Sequence, residues 1–122
     1  MNNKEFSKQL EDRTKKFAIR IIKLSIRLPN TPEGKVIKNQ ITKSGTSVGA
    51  NYRETNRARS KADFKNKIKI CESEASETVY WLAIVLDLNW VEISSLQEIK
   101  KEANELLAIF TSIGTKLRLK AI

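Results

Sequence analysis

Arg13, Lys16, Arg20, Lys23 and Arg27 recur at steps of three and four residues, the spacing that lines side chains along one edge of a helix. Advancing by about 100° per residue from Ala18 gathers all five into a sector from about 140° to about 220°. A second set, Lys35, Lys38, Thr42, Thr46, Gly49, Arg53 and Arg57, follows the same steps. Arg59, Lys61 and Lys65 carry positive charge past the next turn. The chemistry these residues can do is anion binding. A guanidinium fork matches a pair of phosphate oxygens, and an ammonium supplies a point charge. Threonines between them permit close approach and add hydroxyl donors. A solvated helix face uses the same residue types, but two such edges in one chain favour a polyanion-facing surface.

Bond-making chemistry is poorly provided for. The chain has no histidine, the commonest general base and metal ligand. Glu72, Glu74 and Glu77 cluster, but a di-metal site in a helical bundle needs Glu-x-x-His pairs, which are absent. These glutamates are expected to pair with Lys and Arg across the bundle or between subunits, and Glu54 with Arg53 or Arg57. Cys71 falls in an apolar stripe and is expected to be a core thiol. The expectation is therefore no catalytic residue, no metal, no cofactor and no enzymatic activity.

Four helices position these residues, predicted over about 10–28, 32–58, 61–88 and 96–118 of one domain spanning 1–122. Pro29-Asn30-Thr31-Pro32 separates the first two, with Thr31 as N-cap and Pro32 at the first helical position. The second stripe is Ile37, Ile41, Ser44, Val48 and Tyr52. Ser60 to Asp63 resembles a capping box with Asp for Glu, and Ser95 to Glu98 is a capping box by pattern. The third stripe runs Phe64, Ile68, Cys71, Ala75, Leu82 and Val85, and the fourth runs from Leu96 to Leu117. Short connections suit an all-α, up-and-down four-helix bundle.

Gly45 and Gly49 sit four apart inside the second helix, where each glycine costs about 1 kcal/mol relative to alanine. Close approach of another helix would offset that cost. A phosphate-cradling loop is the rival reading, but the run Ser44–Asn51 fits neither GxxxxGK[ST] nor GxGxxG.

Apolar residues cover about twice the arc of the first helix that the rim of a monomeric bundle needs. Val79–Leu86 is apolar on every side. Both features predict that helices 1 and 3 also meet another subunit. Charge is uneven: residues 13–69 carry 16 basic and 3 acidic side chains, residues 70–122 carry 5 and 8, and the whole chain is +9. The basic half predicts a nucleic-acid partner. Little aromatic interleaving argues against base stacking, and no helix-turn-helix or zinc pattern points to sequence readout. The lone cysteine, the polar start and the shortness of the run 79–86 predict a cytoplasmic chain without a membrane span.

Three stretches carry a family resemblance: Arg13-Thr14 with Phe17-Ala18, NQITKSGTSVGANYRETNRARSKADFKNKI from Asn39 to Ile68, and ESEASETVYWL from Glu72 to Leu82. They resemble the four-helix-bundle family encoded within intervening sequences of bacterial 23S ribosomal RNA genes. Ala83 stands where the family pattern has an acidic residue. The resemblance implies a left-handed bundle assembling as a homopentameric ring, no known catalysis, and a suspected connection with ribosomal RNA. It also implies kinship with the accessory protein of diversity-generating retroelements, which binds nucleic acid and a reverse transcriptase. Arg53, Arg57, Arg59 and Lys61 lie inside the matching motif. The reading is thus a basic homo-oligomer that binds RNA or DNA through the phosphate backbone. The alternative is a basic ring that docks a protein partner such as a reverse transcriptase.

Overall fold

The computed structural model describes residues 3–121, with the side chains of residues 3–117. Four helices follow one another: α1 (Asn3–Ile26), α2 (Pro32–Thr55), α3 (Lys61–Asp87) and α4 (Ile93–Ala121). Each packs on the next in sequence, and α4 returns to α1 along a sparser seam. This is an up-and-down four-helix bundle in which α1 and α3 are diagonal, as are α2 and α4.

Local chemistry accounts for most of the boundaries. Thr31 is extended, its hydroxyl accepts from the Gly34 amide, and Pro32 opens α2. Ser60 caps α3 by accepting from the Asp63 amide. The Asp63 carboxylate reaches back one residue further than a capping box requires, accepting from the Arg59 amide at 3.1 Å. Asn89 ends α3 with φ of 55°, a left-handed position that asparagine tolerates.

Five boundaries differ by two residues or more from those predicted, among them the ends of α1, at Ile26 rather than Leu28, and of α4, at Ala121 rather than near 118. α1 begins at Asn3 rather than near Leu10, because no Gly or Pro interrupts the polar residues before Leu10 and Glu5 suits a first turn. α2 stops at Thr55 rather than Ala58: Asn56 caps it, and Arg57 and Ala58 turn back onto the Glu54 and Thr55 carbonyls. α4 begins at Ile93, so Ser95–Glu98 lies within its first turns instead of capping it. The Glu92 carbonyl takes the amides of Ser95 and Leu96, while Val91 is held in the core just before it.

The core joins Phe17, Ile21 and Leu24 of α1, Ile41, Val48 and Tyr52 of α2, Ile68, Leu82 and Val85 of α3, and Leu96, Leu106 and Phe110 of α4. The Tyr52 and Phe110 rings meet at 5.6 Å between α2 and α4. A Cβ on Gly45 would lie 2.7 Å from Ile21, and one on Gly49 would lie 3.0 Å from Thr14. The two glycines therefore form a notch in α2 that seats α1. Five buried hydroxyls, on Thr14, Ser25, Ser44, Thr55 and Thr78, each donate to a carbonyl three or four residues back on their own helix. Thr78 also meets Ser44 across the α2–α3 seam at 2.9 Å.

Candidate nucleic-acid interface

The α1 cationic stripe lies along the α1–α4 seam, and α4 divides it. At one end Arg13 is clamped: Nε donates to Glu102 Oε2 at 2.7 Å, and Nη2 donates to Glu102 Oε1 at 2.6 Å and to Glu105 Oε2 at 3.0 Å. Glu102 is only 15% exposed, so the pair is partly desolvated, and each oxygen of its carboxylate accepts one bond from the guanidinium. The hydrogen bond that Arg13 donates to Glu102, ahead of the opposing effect of burial, pushes the guanidinium pKa up. At the other end Arg20, Lys23 and Arg27 line a groove of about 270 Å³ with Ser95 and Glu98 of α4, floored by buried Leu24 and Ile99. Lys16 lies outward and pairs with Asp12 at 2.9 Å, both side chains being well exposed.

The second basic edge is more open. Lys35, Arg53 and Arg57 are exposed and Lys38 is half-buried, and none of the four forms an ion pair among the described residues. The edge borders a groove of about 520 Å³ between α1 and α2, where Arg53, Thr46 and Ala50 face Glu11, Asp12 and Lys15. Thr46 is not the free donor expected of it: its hydroxyl donates to the Thr42 carbonyl at 2.7 Å. Past the helix end, Arg57 and Arg59 line a polar cleft of about 800 Å³ with Glu54, Asp63 and Lys67. Glu54 shares that cleft without forming the expected ion pair with Arg53 or Arg57. Lys67 instead pairs with Asp63 at 3.1 Å. The Arg59 amide first and Lys67 second hold the Asp63 carboxyl below the usual carboxylate range. Lys61 is exposed and Lys65 half-buried on the first turns of α3.

The α3 glutamates do not bridge the bundle as expected. Glu77 accepts from the Trp81 indole at 3.3 Å, and Glu72 and Glu77 line an α3–α4 groove of about 650 Å³ with Tyr80. Burial first, then Glu77, pushes the Glu74 carboxyl up, with Lys43 opposing them. Among the described residues, the carboxylates that pair with a cation of another helix belong to α4. Their signal was present in the sequence: Glu98, Glu102 and Glu105 are spaced by four and three, the same rhythm as the basic row they face. Cys71 lies in the core against Thr55, and burial pushes its thiol up to about 11.

Exposed large apolar side chains are most numerous on two diagonal helices, α1 and α3, with Val36 of α2 and Ile93 of α4 exposed singly. α1 exposes Ile19, Ile22 and Ile26, the last at 71%. α3 exposes Ile70 and Tyr80, the latter at 59% and packed edge-on against Trp81. No helix among the described residues is long and apolar enough to cross a membrane.

Residues 7–112 match the model of the 23S rRNA-intervening sequence protein family. The chain belongs to this family. All the basic residues named above, and the α4 glutamates that clamp Arg13, lie inside the matched span of this intervening-sequence protein. It is also similar to a crystal structure from Bacteroides thetaiotaomicron VPI-5482, of a protein of unknown function from the S23 ribosomal protein family. That likeness has 38% identity and a TM-score of 0.79, over 85% of this chain and 96% of the other. No curated protein matches the intervening-sequence protein.

Proposed function

We propose that this intervening-sequence protein is a non-enzymatic, cytoplasmic homo-oligomer that binds RNA or DNA through the phosphate backbone, in connection with ribosomal RNA. One observation carries the reading: the α2 edge and the α2–α3 turn present Lys35, Arg53, Arg57, Arg59 and Lys61 to solvent, with no carboxylate paired to their side chains among the described residues. An exposed basic row of this kind acts by neutralising phosphates and releasing their counterions, with little dependence on base sequence.

Self-association is supported by where the apolar surface lies. The exposed α1 isoleucines and the exposed Tyr80 and Ile70 of α3 are on diagonal helices, so two copies can meet α1 to α3. Such head-to-tail contacts form a ring when the rotation closes, and the family resemblance implies five subunits. Each basic edge would then recur around the ring, turning modest phosphate contacts into avidity.

The test is binding to structured RNA and to duplex DNA across a salt series, with mass from light scattering in the same buffers. Affinity should fall steeply with salt, and Arg53→Glu/Arg57→Glu should flatten the slope by roughly 2, at about 0.9 per phosphate contact on duplex DNA. Absence of binding at low salt, from a well-formed oligomer, would sink the nucleic-acid reading and leave a ring that docks a protein partner such as a polymerase.

A further inference from the structure

Resting on the nucleic-acid reading above, we propose that the α1–α4 seam is a divided anion track. Its Arg13 end is filled by carboxylates of α4, and its other end, the groove of Arg20, Lys23, Arg27 and Ser95, receives a phosphodiester of a nucleic-acid backbone. Arg13, Arg20 and Arg27 are seven apart, two helical turns each, so they stand in one line along α1. What an anion does on this line is visible at Arg13, where Glu102 presents two oxygens to Nε and Nη2 at 2.7 and 2.6 Å. A phosphate presents a similar oxygen pair. On α4 the acidic row continues from Glu105 and Glu102 to Glu98, and the next step of the same row brings Ser95. The groove there holds three cations against the single carboxylate of Glu98. It therefore keeps a surplus of positive charge, a hydroxyl and an apolar floor at one place. The α4 carboxylates thus set which part of the stripe reaches a ligand, and the Arg13 end is withheld from it.

The experiment compares full-length variants for binding to duplex DNA across salt. Arg20→Gln/Arg27→Gln should flatten the slope by roughly 1.8, while Arg13→Gln keeps the wild-type slope. Glu98→Gln should tighten binding several-fold, and Glu72→Gln, the same charge change in the α3–α4 groove, should change it less. Circular dichroism confirms the fold of each, and if the double variant is unfolded, exposed Lys23→Gln takes its place with an expected loss of about 0.9 in slope. Wild-type slope in Arg20→Gln/Arg27→Gln alongside a loss in Arg53→Gln/Arg57→Gln overturns the groove and leaves the α2 edge as the binding surface. Equal tightening by Glu98→Gln and Glu72→Gln also overturns it, because only net charge would then matter. Anionic phosphatidylserine vesicles form the last arm: sensitivity to Arg20→Gln/Arg27→Gln on vesicles but not on DNA assigns the groove to a lipid headgroup and refutes the proposal. If the wild type binds no nucleic acid at any salt, the underlying functional reading fails first.

Discussion

Alanine at Gly45 and alanine at Gly114 should move stability in opposite directions, although both glycines lie inside helices. The helix-propensity gain is the same for each, about 1 kcal/mol. The surroundings are not. At Gly114 a new Cβ would meet Ile68 at 3.9 Å, an ordinary contact, so the gain survives. At Gly45 it would sit 2.7 and 2.9 Å from the two γ carbons of Ile21, which is fully buried and has no room to retreat. Overpacking of that kind costs about 1–3 kcal/mol, which leaves a net loss of about 1 kcal/mol. Gly49 is intermediate: its Cβ would press on Thr14 Oγ1 and Cβ at 3.0 and 3.1 Å, so gain and cost nearly cancel. At Gly34 the added Cβ would fall on the backbone carbonyl of Pro29, and the turn before α2 would have to rebuild, costing about 2 kcal/mol or more. Urea unfolding followed by helical ellipticity at one protomer concentration reads the series, and thermal melts of the same samples should shift by about 4 °C in Tm for each kcal/mol. If Gly45→Ala proves as stable as Gly114→Ala, α1 is not seated in the α2 notch and the packing argument fails.

Two further predictions follow from the seam and the core. A double-mutant cycle on Arg13→Ala and Glu102→Ala should return a coupling of about 1 kcal/mol, shrinking with added salt, because the Arg13 side chain is 38% exposed and partly screened; zero coupling at low salt would mean that the clamp does not hold the seam. For Cys71, burial pushes the folded thiol up to about 11 against an ordinary value of 9.0. The unfolded state therefore loses its proton first as pH rises, and the thiol's contribution to stability should be level from neutral pH to 9.0 and fall by about 2–3 kcal/mol up to pH 11. Urea midpoints between those limits check this, and Cys71→Ser, removing the thiol, should remove the decline attributable to it.

The bundle was legible in the sequence because its signals are local. Pro32 after Thr31, Ser60 before Asp63, and stripes at three- and four-residue steps each specify a helix from within a few residues. The start of α4 was misread for the same reason: Ser95–Glu98 has the pattern of a cap, but the burial of Val91 placed the helix start at Ile93. The candidate site was only half legible. Periodicity placed Arg13 and Arg20 on one edge of α1, but which helix packs beside that edge is a tertiary fact, and it decides that Arg13 is clamped while Arg20 lines a groove. Likewise the spacing of Thr46 puts it on the α2 edge, yet its donor is used by the carbonyl four residues back.

The order of the seams bears on how the chain assembles. The three extensive seams join helices that are consecutive in sequence, and only the sparse α1–α4 seam brings distant parts of the chain together. Little loop-closure entropy is lost before packing begins to repay it, so contact order is low and folding belongs in the roughly microsecond-to-millisecond range of helical bundles. On a ribosome, α1 can seat in the α2 notch and α3 can dock on α2 before α4 has emerged. The last helix then closes the bundle, bringing Glu102 and Glu105 onto Arg13 and completing the surface that divides the cationic stripe.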